Sequence, residues 1–397
     1  MNKKLLLCLL AIASLGVISS AHAQNANTAT SDNISQGTDT LSANHITFNK
    51  MMAAYKELTR KPDPVVPQKP AVIRIACVGD MMLGLNYPDD SPQYAADDGR
   101  HLFDDVKPWL QGANLTLGNL EGVLLDTGGE PKVVRNPKYR YFFRMPERYV
   151  HLFLDAGFDA LTIANNHARD FGQSGLESTQ RVLSEAGMAY CGVKDVCETC
   201  IIERDGVRYG MCAFAPNTMM CNIHDLALAE RLIKKLREED KCDIVIVTFH
   251  GGAEGPTMNH VTRTTETYIG ESRGNVYEFS HHCVDAGADL VFGHGPHVVR
   301  GVELYKGKII AYSLGNFCTP YGINRLGPNG YAPVLCVDMT PEGEFVGGEI
   351  VPAIQVGREG PKLDHKGIVL GEMRRLSFQD FPESNLVIER DGKLRAR

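Results

Sequence analysis

The chain has no G-x-x-x-x-G-K-[ST] segment, so it offers no P-loop to cradle a nucleotide's phosphates. It also has no G-x-S-x-G elbow. Ser313-Leu314-Gly315-Asn316-Phe317 follows a strand-like run but lacks the spacing, which excludes the α/β-hydrolase nucleophile. Basic residues are not in excess: 41 Lys and Arg stand against 48 Asp and Glu, a formal charge of -7. Phosphate backbones need clustered cations, so nucleic acid is not an expected partner. Only one Cys-x-x-Cys is present, Cys197 to Cys200 near Cys191, and a four-thiolate zinc site would need a second. A local disulfide or half of a zinc site are the readings left for it. Cys77, Cys212, Cys242 and Cys336 lie in apolar runs and read as small buried hydrophobes.

What is present begins with an export signal. Lys3 and Lys4 precede an apolar run from Leu5 to Ser20 and an A-x-A site at Ala21-His22-Ala23. The run is short for a membrane span. Residues 1–23 therefore read as a cleaved signal peptide, which places the chain across the inner membrane, in the periplasm or cell envelope. Removing Lys3 and Lys4 makes the remainder more acidic still. Residues 24–70 read as a linker, first rich in Asn, Thr and Ser, then holding a short helix over 45–59, then carrying four prolines between Lys61 and Pro70. The folded domain is expected over 71–397.

From Ala71 apolar runs alternate with helical periodicity. Strands are expected over 71–79, 114–120, 158–164, 189–193, 243–249 and 288–292, and helices over 149–156, 175–186, 223–239 and 276–286. Asp205-Gly206 marks a hairpin between 200–204 and 207–214. After Gly301 the pattern turns to strands, over 302–305, 308–313, 334–339 and 344–352, with a turn at Lys306-Gly307. Such an order predicts an α/β fold with two mixed sheets packed face to face and helices outside.

Polar residues stand where the apolar runs stop. Asp80 follows the first strand, Asn119 and Glu121 end the second on one face, and Asn165-Asn166-His167 follow the third. His250 ends the most apolar strand and is followed by Gly251, Gly252 and Glu254; His294 and His297 flank Gly295-Pro296. Strand C-terminal ends converge on one crevice in α/β sheets. Carboxylates, amide oxygens and neutral imidazoles suit a divalent metal. Asp170 is an acceptor that could fix the His167 tautomer. His281 and His282 fall in a helical pattern and read as helix-face residues. The segment Arg135 to Arg144, with Lys138 and Arg140, could grip carboxylates.

Taken in order, Gly79-Asp80, Asn119-Leu120-Glu121-Gly122, Ala164-Asn165-Asn166-His167 with Asp170 and Gly172, His250 with Gly252 and Glu254, Gly293-His294-Gly295-Pro296-His297 and Tyr312-Ser313-Leu314-Gly315-Asn316-Phe317 resemble the CapA family of capsule or poly-γ-glutamate synthesis proteins. The resemblance spans roughly Ala71 to Met339. That family is related to calcineurin-like metallophosphoesterases, so the resemblance implies a four-layer α/β/β/α sandwich with two mixed sheets. It implies metal ligation by Asp80, Asn166, His167, His250 and His297, and Glu121 could compensate as a ligand for Asn119, which stands where the phosphoesterases carry a metal-bridging Asp. On the hydrolase reading His294 or Glu254 would be the acid or base, with Asp170 beside them as a catalytic candidate, and Asn119, Arg144 and Asn316 are the candidate substrate contacts. The implied cofactor is a divalent metal such as manganese, zinc or iron. Met82 and Asn119 stand where the phosphoesterases carry further ligands, and His294 and His297 are spaced H-x-x-H. One metal, a weaker second metal or no catalysis are compatible with those departures.

Two functions compete on this reading. One is a metal-dependent hydrolase of phosphoester or γ-glutamyl amide bonds in the envelope. The other is a non-catalytic factor that binds, tethers or exports an anionic extracellular polymer. Partners would be that polymer or a small phosphoester, together with capsule-synthesis membrane proteins.

Overall fold

The computed structural model describes Lys50, residues 69–134 and residues 136–397. The expected signal peptide over 1–23, almost all of the linker over 24–70 with its short helix, and Arg135 lie outside the described residues. In chain order the main elements are β1 (Ile73–Met81), α1 (Lys107–Gln111), β2 (Leu115–Leu120), α2 (Val150–Ala156), β3 (Ala160–Thr162), α3 (Gly172–Glu185) and β4 (Ala189–Cys191). Then come β5 (Thr199–Arg204), β6 (Val207–Phe214), α4 (Leu226–Lys234), β7 (Ile244–His250), α5 (Val276–Asp285), β8 (Leu290–His294), β9 (Val302–Tyr305) and β10 (Lys308–Ala311). The chain continues through β11 (Asn316–Cys318), β12 (Val334–Met339), β13 (Phe345–Val351), α6 (Ile368–Asp380), β14 (Leu386–Ile388) and β15 (Lys393–Ala396).

Two mixed sheets result. The first runs β14-β15-β13-β12-β1-β2-β3-β4, with β11 joined to the end of β1; the second runs β9-β10-β8-β7-β6-β5. The burial of β7 shows how they stack. Its Ile244 and Ile246 belong to the core shared with the first sheet, whereas Val245 and Val247 pack with Leu228, Leu232 and Phe279 of α4 and α5. A β-branched run buried on both faces is what a central strand of a covered sheet requires. Each such side chain removed from water contributes about 1.5–3 kcal/mol. Leu110, Phe153, Leu176 and Leu183 bring α1, α2 and α3 into the core of the first sheet, and α6 packs on β9. The layers are therefore helix, sheet, sheet, helix, as the alternation of apolar runs and helical periodicity suggested.

Local chemistry sets the ends. Asp225 accepts from the Leu228 amide to cap α4, and Asn275 accepts from Glu278 to cap α5. Gly157 closes α2 in the left-handed region. The Asp205-Gly206 turn joins β5 and β6 as the dipeptide indicates, with both residues at positive φ. Differences lie at the C-terminal end. The pattern of strands after Gly301 hides α6, because its apolar residues run around the helix: Val369, Leu370, Met373 and Leu376 are buried while Ile368 and Phe378 face solvent. Among the described residues all ten cysteines are free thiols, so Cys197 and Cys200 form no local disulfide; Cys200 lies against the buried Cys191 instead. Cys77, Cys212, Cys242 and Cys336 are buried. No helix among the described residues is long and apolar enough to cross a membrane.

One change of partner along β1 positions the polar centre. Its first half, Ile73 to Cys77, pairs antiparallel with β12, while Asp80 and Met81 pair parallel with β11. A Cβ on Gly79 would lie 2.0 Å from the Gly315 carbonyl oxygen, so only glycine lets the two strands meet there. Gly79→Ala should destabilise the fold by about 1–3 kcal/mol or more. A fall in denaturation midpoint with unchanged slope is the expected readout; an unmoved midpoint would contradict the close approach.

Candidate functional site

The parallel strands deliver their polar residues to one place. Asp80 stands in register with Asn119 on β2 on one side and Asn316 on β11 on the other. Across the interface between the sheets, His294 on β8 is in register with His250 on β7. Asp80, Asn119, Glu121 and His294 are wholly buried, and His250 nearly so. The loop carrying His294 and His297 must pass very close to the one after His250, because a Cβ on Gly295 would meet the Gly251 carbonyl at 2.7 Å. His297 itself takes a left-handed backbone, φ +59°, a conformation that is costly outside glycine and concentrates at functional sites.

Two carboxylates share this dry space. The Asn119 side-chain amide donates to Asp80 Oδ1 at 2.8 Å and to Glu121 Oε2 at 2.6 Å, bridging them. Its oxygen accepts from Asn165 at 3.0 Å. His297 Nδ1 donates to Asp80 Oδ2 and to Asn316 Oδ1, both at 3.0 Å. His167 Nδ1 donates to Asp170 at 2.7 Å, leaving Nε2 pointed at Glu121 Oε1, 3.9 Å away. His250 Nε2 lies 3.4 Å from the same oxygen without closing a hydrogen bond.

Titration follows from these contacts. Burial alone would raise the Asp80 pKa, but the adjoining rings of His294, 3.3 Å away, and His297 hold it well below the carboxylate range. Glu121 is likewise opposed by burial and drawn down by His250, to about 2. Burial would lower His297, yet the hydrogen bond and charge of Asp80, with Glu254 and Glu121 behind, push it up to about 10. His297 is therefore an imidazolium at neutral pH, paired with Asp80.

Glu121 Oε1, His250 Nε2, both His294 ring nitrogens and Asn166 Oδ1 are buried with no hydrogen-bond partner. Orphaned buried polar atoms are costly, at about 1–3 kcal/mol each, and rarely gather without a ligand. Donor atoms of Glu121, His250 and His297 all lie within 4.8 Å of one another. Oxygen and imidazole donors at that spacing fit a divalent metal such as zinc, manganese or iron. One contact opposes it. Arg273 approaches His250 Nδ1 at 3.3 Å, and a guanidinium only donates. This contact keeps the ring proton on Nε2, so ligation through Nε2 requires Arg273 to turn fully to Glu254, its partner at 3.0 Å.

The expected site residues thus divide. Asp80, Glu121, His167, His250, His294 and His297 converge, with Glu254 3.9 Å from His297 Nε2. Asp170, expected among the catalytic groups, is fully buried and bonded to His167, the Phe143 amide and Lys132, so it positions His167. Asn119 and Asn316 were expected to meet substrate. Asn119 is instead committed to Asp80, Glu121 and Asn165, and Asn316 to His297 and the carbonyls of Asn324 and Asn329. Arg144 is likewise engaged within the protein. It is 1% exposed, bonded to Asn86, Asp89 and the Gly128 carbonyl, and lies over Tyr87 and Phe171. His281 and His282 sit on α5 as expected, bonded to Glu303 and the Leu226 carbonyl. Arg273, on the short strand Glu271–Gly274, and Arg300, in a loop with a two-pronged bond to Glu266 beside Ala253, escaped the sequence reading; each is a lone cation that only the fold makes buried.

Comparison with known proteins follows the same residues. The family of bacterial capsule synthesis proteins, PGA_cap, matches residues 74–321. The capsule biosynthesis protein CapA of Bacillus anthracis is 28% identical over 291 residues, covering 69% of this chain and 66% of that protein. The PGA biosynthesis protein CapA of Bacillus subtilis is 25% identical over 279 residues, 64% of this chain and 65% of its own length. The chain thus spans about two thirds of the length of these curated relatives. A 5′-nucleotidase precursor from Thermus thermophilus overlays with a TM-score of 0.38 at 12% identity, covering 79% of this chain and 59% of that one, too loosely for any residue to be carried across. The family match covers more than half of the chain and includes every strand-end motif from Asp80 to Asn316: this protein belongs to the PGA_cap family of bacterial capsule synthesis proteins.

Proposed function

We propose that this chain is a metal-dependent hydrolase of the cell envelope, cleaving a phosphoester or a γ-glutamyl amide during capsule or polyglutamate metabolism. The observation that carries the reading is that the donor atoms of Glu121, His250 and His297 gather around one point, with Glu121 Oε1 and His250 Nε2 among the buried atoms that lack a hydrogen bond. Export to the periplasm or envelope rests on the Lys3-to-Ala23 signal, and the polymer context on the names of the Bacillus relatives. Capsule-synthesis membrane proteins are the partners this context suggests. Against a purely polymer-gripping role stands the burial of Arg144, the cation such a role would lean on.

Asp80, Glu121, His250 and His297 would hold the metal, with His167 and Asn166 at its edge. A metal there would polarise the scissile carbonyl or phosphoryl oxygen and acidify water. The protein's own groups do the rest. Asn119 keeps the two carboxylates apart and oriented. Asp170 fixes the His167 tautomer. His294, whose Nδ1 lies 3.3 Å from Asp80 and whose Nε2 closes no hydrogen bond, is the group placed to take a proton and return it to the leaving atom. Glu254, next to His297 and Arg273, adjusts the charge at the mouth.

Asp80→Ala and His250→Ala should each lower turnover of phosphoester or γ-glutamyl substrates at least about a hundredfold, with the fold retained. Arg140→Ala, at an exposed position, should leave it unchanged. Retained turnover in both site variants would end this reading. Metal binding should also release a proton, because ligation needs the neutral His297 ring and its raised pKa keeps it charged at pH 7. Affinity should accordingly rise about tenfold per pH unit from neutrality towards pH 10. Calorimetry in buffers of different ionisation enthalpy reads the proton directly; pH-independent affinity would contradict the assignment of His297.

A further inference from the structure

Beside the buried centre lies a cavity of about 350 Å³, lined by Lys132, Asn165, Asn166, Arg169, Asn217 and Met219 among others. It adjoins the centre through two residues. Asn165 bonds to Asn119, the amide that bridges Asp80 and Glu121, and Asn166 is one of the orphaned donors.

The charge and hydrogen-bonding state of its walls are unusual. Lys132 is already engaged, paired with Asp170 at 2.5 Å and bonded to the Asn166 carbonyl at 3.1 Å. Arg169 is not. Its Nε is shut away from water with no acceptor, and its guanidinium has no ion pair among the described residues. Asn217 Oδ1, in the same lining, is also buried and unpartnered. The cavity therefore holds one more cation than its own anions balance, with donors left over. Arg and Lys with free donors are the groups that recognise carboxylates and phosphates. The N-terminus of α3 adds to this: Gly172 lines the cavity, no side chain caps the helix, and its first turn carries no acid.

We propose that this cavity is the subsite for an anionic group of the substrate, a carboxylate or a phosphate, and that Arg169 is its specificity-determining residue. The inference rests on the hydrolase reading, since it places the anion one residue from the orphaned donors and so presents the neighbouring bond to them. Arg169 would close the anion's oxygens with its paired N–H groups, Lys132 would add charge from the side, and Asn217 would accept from any hydroxyl or amide that the group carries.

The test is direct binding of inorganic phosphate and of glutarate to the full chain, by calorimetry, with and without chelator. At least one should bind wild type. Arg169→Gln should weaken it about tenfold or more, the loss expected from removing a charged hydrogen-bonding partner. Met219→Glu, at an exposed position in the cavity lining, should weaken it too, so a misfolded Arg169 variant would not leave the inference untested. Phosphate preferred over glutarate would identify a phosphoester substrate, and the reverse a carboxylate-bearing one. No binding of either probe, or affinity unchanged in Arg169→Gln and Met219→Glu, would overturn the subsite. His250→Ala should keep anion binding while losing metal. Absent metal with intact anion binding would therefore sink the hydrolase reading alone, and metal uptake without anion binding would sink the subsite alone.

Discussion

Two carboxylates buried side by side, Asp80 and Glu121, set the terms for the surrounding structure. Neither has solvent to stabilise its charge, and each opposes ionisation of the other. Imidazole rings and one asparagine amide are arranged to offset that cost. Asn119 takes one oxygen from each acid, His297 donates to Asp80, and His250 and His167 face Glu121. The pairing is incomplete, because one Glu121 oxygen and three imidazole nitrogens stay unbonded. A group with two or more positive charges would complete it.

The fold exists to hold that arrangement still. Six of the polar residues come from strand ends or the loops directly after them, so their positions follow from strand register. Glycines 79 and 295 let backbone meet backbone where a methyl group could not fit. Buried arginines fasten the surrounding loops: Arg144 bonds to the side chain and carbonyl of Asn86, and Arg300 forms a buried ion pair with Glu266 that holds the segment after His250. Breaking such a pair leaves a buried charge uncompensated, so these arginines are structural in spite of their sign.

Much of the centre was legible in the sequence because polar residues interrupt apolar runs at strand ends. Asp80, Glu121, His167, His250, His294 and His297 were all visible that way. The roles of neighbouring residues were not. Asn119 and Asn316 look like ligand-facing amides until the structure shows their hydrogen bonds already engaged. Arg144 looks like an exposed grip for carboxylates until it is seen inside a pocket of aromatic rings. The reverse holds for Arg169. A cation between His167 and Asp170 appears ordinary, and only the pairing of Lys132 with Asp170 leaves it unmatched. Partner choice depends on tertiary contacts that spacing does not encode. Helix α6 was hidden for a related reason: its apolar residues do not fall on a single face.

The central claim is that the buried acids and imidazoles form a metal site. Elemental analysis of the full chain, purified without chelators, tests it most directly when set beside Glu121→Gln, which keeps shape and removes one charge. The account predicts near-stoichiometric manganese, zinc or iron in the wild type and its loss in the variant. Metal-free wild-type protein, even after incubation with each of the three ions, would contradict it.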